Sequence, residues 1–339
     1  MCLYPKLIEN RKYKANKKNG GVIPAVIDKR TLMVPVGCGK CMECKKQKAR
    51  NWQVRLQEEI RHDNTGQFVT LTFSDEEYKK LSEEITGVTD YNLDNEIATL
   101  GTRRFLERWR KKYKTSVKHW LVTELGHNGT ENIHIHGLLW TNENKETIEK
   151  IWKYGWIYIG EYTNEKTINY IVKYVNKTDK DHPNYNSKVL TSAGIGKKYL
   201  ERPDSKLNKY KGEKTNETYK TRQGIKLNMP IYYRNQIYTE EEREKLWLQK
   251  LDKEERWVCG EKIDISENEI DYYKTREFYR IKNKRLGYGS DEIDYEKRRY
   301  EINRRKLQHW TRLKKAEKKE ELIKKGIIKK GQRIPKEYR

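Results

Sequence analysis

Apolar residues recur at helical spacing just past Cys44. Ala49, Trp52, Leu56 and Ile60 make one stripe of a helix running to about Arg61, and Lys45, Lys46, Lys48, Arg50 and Arg55 make its other faces basic. The pattern then changes. Gln67–Phe73 (QFVTLTF) is a run of β-branched and aromatic residues, which predicts a strand. Residues 74–100 are polar, with room for a few helical turns. Thr102–Tyr113 predicts a basic amphipathic helix with Phe105, Leu106 and Trp109 inward. His119–Leu125 and Asn132–Trp140 are strands about a turn at Gly126–Thr130, which contains Asn128-Gly129. Lys145–Trp152 is a short helix, Trp156–Tyr162 a strand, and Asn164–Lys177 a helix capped by Thr163 or Asn164. From Gln67 the order is strand, helix, hairpin, helix, strand, helix, an α+β plan of an antiparallel sheet with packed helices.

The flanks are less regular. Residues 1–36, with Pro5, Gly20-Gly21, Pro24 and Pro35, predict irregular chain. Residues 178–222 are polar and loop-like, and 237–256 are helical. There is no internal repeat. Three regions follow: a Cys-rich segment with a basic helix over 1–62, a core over 63–200, and a mostly helical, basic region over 201–339.

Charge changes the picture. The 339 residues carry a formal net charge of +24, and residues 271–339 hold 24 Lys/Arg against 11 Asp/Glu. So lopsided a balance points to a polyanionic partner, most simply nucleic acid. The alternative is a surface charged for solubility. The 24 Tyr and 9 Trp suit base stacking as well as packing. Leu307, Trp310 and Leu313 lie at helical spacing in a tail otherwise of Lys, Arg and Glu, a solvated helix that adds salt-sensitive attraction to DNA. No segment has the length and apolarity of a membrane span or a signal peptide, so no membrane partner is expected and the chain stays in the cytoplasm where it is made.

The candidate chemistry sits on the strand Asn132–Trp140. Side chains two apart on a strand share a face, so His134 and His136 present two imidazoles together, a ligand pair for a divalent ion. Glu124, on the neighbouring strand, is the natural third ligand. A two-residue turn at Asn128-Gly129 would set Glu124 opposite Ile133, on the wrong face; a three- or five-residue loop brings it to the histidine face. Two imidazoles and a carboxylate suit Mg²⁺ or Mn²⁺. Tyr170 and Tyr174, four apart on a helix, offer two phenols on one face, with Lys173 between them. A free phenol has a pKa of about 10, so it needs positive charge nearby to attack phosphorus near neutral pH. The metal and Lys173 are the candidate sources. Taken singly, His-x-His is often structural, and Tyr-x-x-x-Tyr in so Tyr-rich a chain says little; their conjunction carries the argument.

Cys38, Cys41 and Cys44 supply three thiols, and tetrahedral zinc needs four donors, which Cys2 can complete. Free thiols are the alternative. An iron–sulfur cluster lacks its usual following Cys-Pro, and Cys259 is a bystander. Gly194-Ile195-Gly196-Lys197-Lys198 is no Walker loop, because Thr191 stands where the first glycine belongs and no Ser or Thr follows Lys197. With no other phosphate loop, the chain has no helicase motor of its own. His62, His119, His127, His182 and His309 show no partner pattern.

His134-Ile-His136-Gly-Leu-Leu and Phe68-Val-Thr-Leu-Thr-Phe73 resemble two motifs of the HUH endonucleases that initiate rolling-circle replication, and Tyr170-Ile-Val-Lys-Tyr174-Val-Asn-Lys177 resembles their two-tyrosine motif. Cys2-x-x-Pro5, Cys38-Gly-x-Cys41-x-x-Cys44 and Trp52-x-x-Arg55-Leu56 are similar to the gokushovirus branch of microvirus initiators, as is the stretch Tyr232–Leu246 with Gly260. The resemblance covers most of residues 1–265 and fades in the tail. It implies a ferredoxin-like endonuclease core over 63–200 that nicks one strand of origin DNA, stays attached to the 5′ phosphate and later rejoins the ends. It implies metal ligation by His134 and His136 and nucleophilic roles for Tyr170 and Tyr174; the third ligand varies in that superfamily. It also implies a host helicase and polymerase as partners, in the cytoplasm of the host. A two-tyrosine transposase or plasmid initiator shares the chemistry. A zinc-stabilised, non-enzymatic single-strand binder is the alternative of another class.

Overall fold

The computed structural model describes residues 2–126, 131–160, 162–178, 182, 185–290, 297–335 and 338. The chain divides into two compact units.

The larger unit, residues 45–209 and 216–237, is built on a five-stranded sheet. In spatial order its strands are Ile157–Ile159, Gly66–Thr72, Ile133–Trp140, Lys118–Leu125 and Val189–Thr191, and every neighbouring pair is antiparallel. One face is wholly apolar. Val69, Leu71, Leu121, Leu125, Ile133, Ile135, Leu139 and Ile157 bury against Ile97, Phe105 and Trp109 of the helix Asp90–Tyr113 and Ile148 and Trp152 of the helix Lys145–Trp152. The opposite face is mixed. Trp120, Val122, Leu138 and Trp140 pack under Leu56 of the helix Met42–His62 and under Ile168, Ile171 and Val175, while the rest of that face stays polar. The period-2 alternation of the strands thus separates a hydrophobic seam from a chemical one.

Two glycines are required by close approach. A Cβ on Gly137 would stand 2.1 Å from the Trp120 carbonyl oxygen and 2.8 Å from Leu121 Cα, so only glycine can follow His136 here. Gly196, at φ +74°, would put a Cβ 2.6 Å from the Arg55 carbonyl oxygen, and its N–H donates to Glu59 Oε2 at 2.5 Å. The 194–198 loop is therefore packed on the Met42–His62 helix.

The other unit, residues 1–44, 210–215 and 238–339, holds two small antiparallel sheets, 6–9 with 33–36 and 255–258 with 261–264. Its helices are Glu240–Asp252, Ile270–Arg285 and Lys297–Lys324. The basic tail helix is docked within this unit: Asn303 Nδ2 donates to the Leu7 carbonyl at 2.7 Å and Gln308 Nε2 to Glu269 at 2.9 Å. Leu307 and Trp310 are half-buried and Leu313 is exposed.

The sequence expectation and the structure differ at four places. Residues 6–9 and 33–36 pair as strands, although Pro35 and their short length suggested irregular chain. Val189–Thr191 is an edge strand inside a stretch expected to be loop; three residues are too short to show alternation. The strand expected over 156–162 is confined to Ile157–Ile159, where Gly160 closes over Phe68. The tyrosine helix turns at Val172, giving Glu165–Ile171 and then Lys173–Asn176. Ile168, Ile171, Val172 and Val175 pack onto the sheet there, and β-branched residues resist regular helix.

Candidate metal and nucleophile site

The hairpin register decides the site. Glu124 pairs with His134 and Val122 with His136, while on the other side Thr72 pairs with His134 and Thr70 with His136. Directly paired residues share a face, so Glu124, His134, His136, Thr70 and Thr72 all project from the mixed face. The last described bond before the turn runs from Gly126 N–H to the Asn132 carbonyl at 2.9 Å and encloses residues 127–131. The expected Asn128-Gly129 turn and His127 lie outside the described residues.

Glu124 Oε2 stands 2.9 Å from His136 Nε2 and 3.3 Å from His134 Nε2. The outer nitrogens are tied back: His134 Nδ1 lies 3.0 Å from the Asn132 carbonyl and His136 Nδ1 lies 3.0 Å from Thr70 Oγ1. A carbonyl can only accept, so His134 Nδ1 carries the proton and its Nε2 turns a lone pair toward the carboxylate. His136 Nε2 is buried, and it makes no well-formed hydrogen bond despite its nearness to Glu124. Lone pairs converging on a carboxylate call for a cation between them. The ligand atoms lie within 4.8 Å of one another, and the group can hold a metal ion. Adjacent donors around a six-coordinate magnesium-sized ion are about 3.0 Å apart, which matches the two short edges.

Burial opposes charge on Glu124, but His134, His136 and Lys177 outweigh it and hold the carboxyl well below the usual carboxylate range. Burial also holds the His136 imidazole below its ordinary value, against the pull of Glu124, and so favours the neutral ring that binds metals.

The tyrosines stand over this group. Asn164 caps their helix, accepting from the N–H groups of Lys166 at 2.8 Å and Thr167 at 3.1 Å. The Tyr174 ring is stacked on the His136 ring, with centroids 4.3 Å apart and planes 6° apart. The Tyr174 hydroxyl donates to that of Tyr170 at 2.6 Å. Tyr174 is 9% exposed and Tyr170 48%. Burial, the Tyr170 hydroxyl and the Glu124 carboxylate push the Tyr174 phenol well above its ordinary range.

Of the two lysines, Lys173 lies over the Tyr170 ring, its Nζ 5.9 Å from the centroid. It is Lys177 that pairs with Glu124 Oε1, with its Nζ also 5.7 Å from the Tyr174 ring centroid. Sequence reasoning assigned no role to Lys177 or Thr70. The signals were there: Lys177 falls one turn past Tyr174, and Thr70 alternates with Phe68 and Thr72 on the site face of its strand.

In the other unit Cys2, Cys38, Cys41 and Cys44 converge, their sulfurs all within 4.8 Å. Cys2 and Cys41 sulfurs are 3.9 Å apart, and those of Cys38 and Cys44 4.0 Å. Disulfide sulfurs would be about 2.05 Å apart. Four thiolates about 2.3 Å from one zinc have edges of about 3.8 Å, close to what is seen. Backbone N–H groups also point at the sulfurs, from Tyr4 at 3.3 Å and Cys38 at 3.2 Å to Cys2, and from Cys41 at 3.3 Å to Cys38. The donor set can hold a metal ion, and Cys259 is outside it. His119 is a buried structural residue, its Nδ1 3.0 Å from the Val117 carbonyl. His182 pairs with Glu131 at 3.0 Å.

An antiparallel sheet that turns an imidazole–carboxylate group toward two phenols belongs to an α+β protein equipped for work on phosphates. Residues 66–179 match the family model of the replication-associated protein of the ORF2 type. That segment, which contains Glu124, both histidines and both tyrosines, belongs to this family, a family of replication proteins. No curated protein and no solved structure matches the chain. Among the described residues no helix is long and apolar enough to cross a membrane.

Proposed function

We propose that the protein is a rolling-circle replication initiator of the gokushovirus type, a DNA strand transferase with a ferredoxin-like HUH endonuclease core. One observation carries the reading: the ring of Tyr174 lies on the ring of His136, and its hydroxyl bonds to that of Tyr170. Metal donors and candidate nucleophiles therefore share one pocket.

Glu124, His134 and His136 hold Mg²⁺ or Mn²⁺, which when bound supplies Lewis-acid charge to the non-bridging oxygens of a DNA phosphate. Tyr170, the more exposed phenol, attacks first. Its oxygen bonds to phosphorus, the P–O3′ bond breaks, and the 3′ oxygen leaves as a hydroxyl with the proton the phenol gives up. The hydrogen bond from Tyr174 and the ammonium of Lys173 stabilise the developing Tyr170 phenolate. Lys177 holds Glu124 in place. The 5′-phosphotyrosine conserves the bond energy for rejoining, and Tyr174 serves the second transfer while Tyr170 is occupied. The four-cysteine group holds structural zinc, and the basic surface binds single-stranded origin DNA. A host helicase opens the duplex and a host polymerase extends the 3′ end.

The test is incubation with an origin-bearing single-stranded oligonucleotide and Mn²⁺, followed by denaturing electrophoresis. Wild type should give an SDS-resistant protein–DNA adduct, Tyr170→Phe little first-strand adduct, and the double Tyr170→Phe/Tyr174→Phe none. An adduct from the double variant would remove both nucleophile assignments. DNA binding without any wild-type adduct would favour a non-enzymatic single-strand binder. The related two-tyrosine transposase or plasmid initiator differs only in the DNA it nicks.

A further inference from the structure

The sheet has a second feature on its chemical face. Strand Ile157–Ile159 is an edge of the sheet. Its inward residue Ile157 is buried in the core, yet its outward neighbours are large aromatics: Trp156 is 55% exposed and Tyr158 46%. Their rings face one another at 6.2 Å with planes 30° apart. Lys145 Nζ sits 5.4 Å from the Trp156 ring centroid.

The register places this pair on the rungs of the metal group. Tyr158 pairs with Thr70, which pairs with His136. The Trp156 carbonyl accepts from the Thr72 N–H at 3.1 Å and the Thr72 hydroxyl at 2.8 Å, and Thr72 pairs with His134. Two strand spacings separate the aromatics from the histidines, about 10 Å. Phe68 bridges the gap, with its ring 6.2 Å from Tyr158 and 6.1 Å from Tyr170. A row of rings therefore runs from the sheet edge to the exposed phenol.

We propose that Trp156 and Tyr158 form a stacking shelf for bases of the DNA strand whose reacting phosphate lies at Glu124, His134 and His136. This rests on the reading of the site given above and adds how the strand is held. Exposed rings on an edge strand invite unwanted pairing, and a small polar residue would serve the fold as well. Flat π-faces beside a phosphate site, next to a lysine and in a chain of net charge +24, fit a single-stranded nucleic acid. Stacking tolerates any base, so the shelf grips the strand without reading it.

Binding of a fluorescein-labelled single-stranded oligonucleotide tests this, with full-length Tyr170→Phe/Tyr174→Phe protein so that no covalent trapping intervenes. Anisotropy is recorded over a series of salt concentrations. Adding Trp156→Ala or Tyr158→Ala should weaken binding about tenfold, and Trp156→Phe should restore most of it. The salt slope should not change, because stacking releases no counterions; losing a phosphate contact would flatten it by about 0.7. In oligonucleotides scanned with single abasic sites, one or two positions should weaken the parent but not weaken Trp156→Ala further. A structural defect would show no such positional coupling. Affinity within twofold of the parent, a flattened slope, or no coupled abasic position would each overturn the shelf. If wild type still forms the covalent adduct, the nicking reading survives that outcome. Loss of self-association in Trp156→Ala with unchanged DNA affinity would assign the face to a second copy of the chain.

Discussion

Glu124→Gln changes the charge of one candidate ligand and little else. Glutamine keeps the volume and one carbonyl-type oxygen, and Lys177 is left exposed enough to be solvated, its side chain being 38% accessible. The oxygen at issue lies 2.9 Å from one imidazole nitrogen and 3.3 Å from the other. Adjacent donors around a six-coordinate ion are about 1.4 ligand distances apart, so these edges correspond to ligand distances of about 2.1 and 2.3 Å. Those are bonding distances, and the carboxylate charge would act on the ion directly. Groups that only orient metal ligands typically change affinity by about 10- to 100-fold. A bound anionic oxygen should therefore be worth at least about 100-fold, or about 2.7 kcal/mol. Titration of Mn²⁺ into full-length wild type and variant, with free Mn²⁺ followed by electron paramagnetic resonance, measures this. Thermal melting without Mn²⁺ checks the fold in parallel. Adduct formation should fall at low Mn²⁺ and partly recover as Mn²⁺ is raised. A change in Mn²⁺ affinity of threefold or less, with the fold intact, would refute the assignment and leave Glu124 as a structural partner of Lys177.

Two further outcomes are expected. Protein purified without added metal should carry one zinc per chain and lose it in Cys44→Ser. Binding to four thiolates is worth about 10–16 kcal/mol against a whole-domain stability of about 5–15 kcal/mol, so a strong chelator should unfold the region around the cysteines. Immediate reaction of all five cysteines with a thiol reagent in the folded protein would exclude the site. Gly137→Ala should lower stability by at least about 1–3 kcal/mol in a denaturant melt, because the new methyl meets the backbone of Trp120 and Leu121 and the central strands must part. It should also weaken Mn²⁺ binding by displacing His136. An unchanged midpoint would contradict the pairing of 118–125 with 133–140.

Much of the site was legible in the chain because the relevant patterns are local. A two-residue period puts His134 and His136 on one face whatever surrounds them, and a four-residue helical step does the same for Tyr170 and Tyr174. The four cysteines converge as their spacing suggested, since Cys38, Cys41 and Cys44 lie within two turns of chain and Cys2 completes the set. What the linear pattern left open was every relation that depends on register or on packing between elements. Glu124 reaches the histidine face only because the 118–125 and 133–140 strands pair as they do, and the intervening turn allowed either parity. Lys173 and Lys177 both follow a tyrosine by three residues, and only the docking of their helices on the sheet sends Lys177 to Glu124 and leaves Lys173 over Tyr170. Trp156 and Tyr158 look like ordinary strand residues until the edge position of 157–159 leaves their faces in water beside the metal rungs. Periodicity is a property of one segment and is written in its residues. Proximity between segments is set by long-range pairing and burial, whose free energy belongs to the assembled sheet and to no single stretch of chain.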